Sequence, residues 1–117
     1  MRVKFIGTRQ DVTSPFWWET SDATVQNYNA TVLALADQAG IGYAYELAAD
    51  GLSYVQEYGP IADIETWQAF SAQVNASMPE LASAKEAFFT AANHAQTLEF
   101  WGEAGELRHT QQVFPKP

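Results

Sequence analysis

The chain has no cysteine. Disulfides and cysteine-based zinc sites are therefore excluded, and thiol usage gives no reading of the compartment. Positive charge is also scarce, with six Lys and Arg against 14 Asp and Glu and a net charge of −8. Affinity for phosphate comes from Lys and Arg, so the expectation is no nucleic-acid partner and no membrane surface. No apolar run approaches the roughly 18 residues of a membrane span. Residues 1–7 alternate apolar and polar and do not read as a signal peptide, so a cytoplasmic location is expected. What the chain does have is apolar bulk, 47% hydrophobic and 14% aromatic in 117 residues. That argues against disorder and for one folded domain spanning 1–117, able to bury about two thirds of its unfolded surface.

The few bases are unevenly placed. Arg2, Lys4 and Arg9 open the chain, Arg108 and Lys116 close it, and Lys85 is the only one between. Every acidic residue lies between Asp11 and Glu106. If the two ends lie side by side they form a basic strip on an acidic body. Such a strip either neutralises neighbouring carboxylates or docks an acidic partner.

Residues 2–7 predict a strand with Val3 and Phe5 on one face and Arg2, Lys4 and Ile6 on the other. A long loop follows to Thr20. Ser21 or Asp22 suits a helix N-cap, and Val25, Tyr28, Val32, Leu35 and Ala39 keep helical spacing up to Gly40. Residues 41–49 and 52–58 flank Asp50-Gly51, which predicts a hairpin with a two-residue turn. That turn sets 47 opposite 54, 45 opposite 56 and 43 opposite 58, with Ile41, Tyr43, Tyr45, Leu47, Tyr54 and Tyr58 sharing a face. Asp63 caps a helix carrying Ile64, Trp67, Phe70 and Val74. Ser77 caps another with Pro79 in its first turn. Leu81, Ala84, Phe88, Ala91, Ala95 and Leu98 carry that helix to Trp101, with a break near Asn93 as the alternative. Residues 107–114 read as a final strand, and the tail 115–117 as loose.

This order, β-α-β-β-α-α-β, predicts an α+β fold: a ferredoxin-like split βαβ with a four-stranded antiparallel sheet and helices on one face. The chain also resembles the dimeric α/β-barrel family, which includes the antibiotic-biosynthesis-type monooxygenases. The resemblance rests on element order and on Gly40-Ile41-Gly42-Tyr43 leading into the second strand. It also rests on Tyr54-Val55-Gln56-Glu57-Tyr58 followed by Asp63-Ile64-Glu65-Thr66-Trp67-Gln68-Ala69-Phe70, and covers about residues 1–75. It implies a homodimer whose ligands sit between sheet and helices. The haem-degrading branch looks for an Asn on the first strand, a Trp and a His; this chain offers Trp67 and His94, while its first strand has no Asn. Val3-Lys4-Phe5-Ile6-Gly7-Thr8-Arg9, Ser14-Pro15-Phe16, Asp50-Gly51-Leu52 and Trp67-Gln68-Ala69-Phe70 are similar to small proteins of tailed phages of marine cyanobacteria. That similarity implies a viral accessory or virion-associated protein, placed in the host cytoplasm or the virion.

No motif for catalysis stands out. His94 and His109 lack the spacing that puts two metal ligands on one face, so neither a metal nor another cofactor is expected. No nucleophile elbow supports a Ser-His-Asp triad, and no phosphate-binding glycine loop is present. Two features remain as candidates. Tyr43, Tyr45 and Trp67 either line a ligand cavity or fill a plain core. Phe16, Trp17 and Trp18 cannot all point inward from a loop, so they form either a lid or an anchor for a protein partner. The leading expectation is a non-catalytic binding or structural protein that self-associates, as a dimer, and docks a partner. The alternative is a small-molecule binder or cofactor-independent monooxygenase. A cavity with converging polar groups favours the second, and a filled core the first.

Overall fold

The computed structural model of the chain describes residues 1–19 and 22–117. Strand β1 (Arg2–Thr8) alternates as its sequence predicts, with Val3 fully buried. A short 3-10 turn (Trp17–Glu19) precedes α1 (Ala23–Gln38). Asp22 Oδ1 accepts from the Val25 N–H at the helix start, while Ser21, the other expected cap, lies outside the described residues. Gly40, at φ +73°, ends the helix, and the Ile41 N–H closes back onto the Ala36 carbonyl.

Strands β2 (Gly42–Leu47) and β3 (Ser53–Gly59) pair in the expected register, with 47 opposite 54, 45 opposite 56 and 43 opposite 58. The turn itself differs from expectation. A two-residue type I′ turn needs positive φ at both positions, but among the described residues of the loop only Gly51 has it. The Ala48 N–H bonds the Ser53 carbonyl, and Asp50 Oδ1 accepts from the Leu52 N–H, so the loop spans 49–52. Helix α2 (Ile64–Ser77) is capped by Asp63, whose Oδ1 accepts from the Thr66 N–H at 2.8 Å. Trp67, Phe70 and Val74 form its buried stripe. Ser77 does not cap the next helix; it ends α2 and donates to the Gln73 carbonyl. Helix α3 (Pro79–Ala92) starts instead at Met78, with Pro79 in its first turn.

The expected continuation of the helix to Trp101 fails, and the alternative, a break near Asn93, is what the structure has. Asn93 adopts the left-handed conformation (φ 55°, ψ 41°), and the N–H groups of Asn93 and His94 close onto the Thr90 and Phe89 carbonyls, stopping α3. Residues Ala95–Trp101 then form β4, with Gln96, Leu98 and Phe100 buried, and Leu107–Phe114 form β5. The expected four-stranded ferredoxin-like sheet and the β-α-β-β-α-α-β order are therefore replaced. The sheet has five strands in the order β2-β3-β1-β4-β5, each antiparallel to its neighbour, in an α+β fold.

All three helices cover the face that carries Val3 and Phe5. One core cluster joins Val3, Tyr58, Leu98 and Phe100 to Ala36, Trp67, Phe70 and Val74. A second joins Trp17, Val25, Phe89 and Phe114. At the tail Lys116 pairs with Glu86, and the Pro115 carbonyl accepts from Gln112 Nε2. No helix of the described chain is long and apolar enough to cross a membrane.

Candidate functional site

The helix-covered face is set by strand alternation. Tyr43 and Tyr45 of β2, Tyr54, Gln56 and Tyr58 of β3, and Gln96 of β4 share it, because each pair stands in register across neighbouring strands. Gly7 lies between Tyr54 and Gln96 on the central strand. A Cβ there would overlap the Tyr54 ring. Its absence lets Tyr54 lie across β1 and meet Gln96, whose Nε2 donates to the Tyr54 hydroxyl at 3.0 Å. Burial raises the Tyr54 and Tyr58 hydroxyls well above their ordinary range, so both stay neutral.

The helices do not fill the space over this face. A cavity of about 670 Å³ remains, bounded by these strand residues, by Tyr28 and Val32 of α1, and by Trp67 and Phe70 of α2. Lys85 and Phe89 of α3 close it from the other side, and Phe114 lies at the end of β5. Its size is in the roughly 300–1,000 Å³ range of small-molecule sites. It opens between α1 and β2, where Leu33, Tyr43 and Tyr45 keep 41, 39 and 43% of their surface exposed.

The wall combines aromatic rings with polar side chains such as Asn29, Gln56, Asn75 and Lys85. Trp17 Nε1 and Gln96 Oε1 are buried and have no hydrogen-bond partner. Whichever way the Gln96 amide is turned, Tyr54 engages one end and leaves the other unpaired. Such groups are costly when buried without a partner. Lys85 reaches among the rings of Phe5, Phe89 and Phe114, with Nζ 5.7–5.9 Å from their centroids. Burial pushes its ammonium down to about 8.

The aromatic loop folds back over this space. Phe16 stacks on Trp18 at 4.8 Å, Trp18 meets Tyr54 edge-on at 4.3 Å, and Trp17 packs on Phe88. Phe16 and Trp17 are 2 and 8% exposed, and Trp18 is half-buried. Arg9 clasps the loop from outside: it lies 3.8 Å over the Phe16 ring, donates to the Ser14 and Gly51 carbonyls, and pairs with Glu19. Ser14 Oγ and His94 Nε2 are 2.8 Å apart, and His94 is buried among Phe16, Phe88 and Phe89.

That pair is not arranged as a nucleophile and base. His94 Nδ1 is buried without a partner, so no carboxylate orients the ring. The less costly tautomer has Nε2–H donating to Ser14 and a bare lone pair at Nδ1, which leaves no base for the serine proton. Burial also lowers the His94 pKa. The pair therefore pins the loop to the start of β4.

Of the residues singled out by sequence, Trp17, Trp18, Tyr43, Tyr45 and Trp67 border the cavity together. Phe16 sits behind them and supports Trp18. Sequence reasoning did not single out Lys85, Gln96 or Gly7. The available signal for Lys85 was its place four residues from both Leu81 and Phe89, on the inward stripe of α3. Among the described residues, no group of three His, Asp or Glu is placed to hold a metal ion. No protein-family model, curated protein or solved structure matches this chain.

Proposed function

We propose that the protein binds a small organic molecule in the cavity between sheet and helices. The observation that carries this reading is a space of about 670 Å³ lined by aromatic rings, with Lys85 and the side-chain amides of Asn29, Gln56 and Asn75 also on its lining. A ligand with an apolar body and one or two polar atoms suits such a lining. The loop of Phe16, Trp17 and Trp18 acts in this account as a packed wall of the site. Phe16 and Trp17 are too deeply buried to anchor a partner. Calorimetric titration with small apolar amides and acids tests the reading. Saturable one-to-one binding, with a higher melting temperature and altered Trp fluorescence, is expected. Failure of every compound to bind would overturn it.

Self-association is a second reading, favoured by the exposed apolar rim of Leu33, Tyr43, Tyr45 and Leu47 beside the unpaired edge of β2. A second copy pairing along that edge would cover the rim and the mouth of the cavity. Light scattering over a wide concentration range decides: a dimer mass supports it, and a monomer mass throughout removes it.

A further inference from the structure

Lys85 is the exception among the cations of this chain. Arg2, Lys4, Arg9, Arg108 and Lys116 each lie within 4 Å of a carboxylate. Lys85 has no such partner among the described residues, although the chain carries 14 Asp and Glu. It occupies the middle of the buried stripe of α3, one turn from Leu81 and one turn from Phe89, where an apolar side chain would pack at least cost. Aromatic faces give an ammonium some compensation, but less than a counter-ion does. The walls of the cavity repeat the asymmetry. They include Lys85 and Lys116, and no Asp or Glu. The body of the protein is strongly acidic, and the wall of this cavity is not.

We propose that the ligand of this cavity is a carboxylic acid on an apolar body, bound with its carboxylate on Lys85. The inference rests on the reading of the cavity as a small-molecule site. A carboxylate suits the donors better than a phosphate does. Of the two cations on the wall, Lys116 is already paired with Glu86, which leaves the single charge of Lys85 to balance a monoanion rather than a dianion. The aromatic rings would hold the body.

The pH dependence follows from the neighbours. Facing the same space are Tyr28 of α1, Tyr43 and Tyr45 of β2, Tyr54 and Tyr58 of β3, and Lys116, whose charge is already engaged by Glu86. Burial moves Tyr28, Tyr45, Tyr54 and Tyr58 upward from their ordinary range. Lys85 loses its proton near pH 8 in the free protein. A bound carboxylate favours the ammonium, so binding above that pH takes up a proton and acid affinity declines as pH rises.

Two matched pairs test the inference: 2-naphthoate against 2-naphthamide, and decanoate against decanamide, by calorimetry at pH 7. At least one acid should bind about tenfold or more tightly than its amide. The preference should shrink between pH 7 and 10 and vanish in Lys85→Met and Lys85→Gln, with amide binding still measurable. Equal binding of acid and amide would defeat the carboxylate inference and leave the cavity reading intact. So would a preference that survives both substitutions. Absence of binding by all four compounds would overturn both.

Discussion

The two faces of the sheet treat charge in opposite ways. On the open face, Arg2 and Lys4 of β1 share Glu57 of β3, Lys4 lies over the Trp101 ring, and Trp101 Nε1 donates to Glu99. These ionic groups find partners within the chain and stay partly in water, while Glu46 on the same face is exposed to solvent. On the helix-covered face, Lys85, Trp17 Nε1, Gln96 Oε1 and His94 Nδ1 have no polar partner of their own. Unpaired polar groups cost most where water is excluded. This contrast is what the proposed ligand-binding role builds on.

The largest expected effect distinguishes the wall of the cavity from its mouth. Trp17→Ala removes a ring packed between α1, α3 and β5 and should cost about 3–5 kcal/mol, lowering the melting temperature markedly. Trp18→Ala, at a half-buried position, should cost about 1 kcal/mol and mainly weaken ligand binding. Chemical denaturation checks both. Equal losses would mean that the loop is uniformly core.

Next comes a change of sign between the faces. Lys85→Met removes an unpaired, part-buried ammonium and should raise the melting temperature of the ligand-free protein slightly. Glu57→Gln on the open face should lower stability by less than about 1 kcal/mol, since such pairs are water-screened. If Lys85→Met destabilises the protein, the supposed asymmetry between the faces is false.

The pH profile sharpens the same point. The folded-state pKa of His94 is lowered by burial and by Arg9, so the unfolded chain binds more protons there as pH falls. The contribution of neutral His94 is complete above about pH 6.5 and is lost progressively as pH falls toward its lower folded value. His94→Gln should flatten that stretch of a stability–pH curve.

Much of this arrangement was legible in the residues. The Tyr-rich hairpin disclosed its register because period-two alternation and Asp50-Gly51 agree, even though the turn closes differently. The Asp63 cap and the Trp67, Phe70, Val74 stripe were equally direct. Strand β4 was not, because Ala91, Ala95 and Leu98 continue the helical spacing while Gln96, Leu98 and Phe100 alternate. The same residues satisfy both periods. The choice is made by the left-handed Asn93 and by pairing with β1, a contact distant in sequence. The cavity was hidden for a similar reason: aromatics at strand and helix spacing look the same whether they touch each other or leave a gap. Lys85 reads in isolation as a solvated helix residue, and only the helix's orientation turns it inward.

The account stands on the cavity being an occupied site in the working protein. The most direct measurement is an NMR titration of the isotope-labelled protein with 2-naphthoate, following backbone and Trp indole signals. The account predicts saturable shifts centred on Trp17, Tyr45, Lys85 and Gln96, with intermolecular contacts from the naphthalene ring to Phe89 and Trp67. Shifts confined to the open face around Lys4, Glu57 and Trp101, or none that saturate, would contradict it.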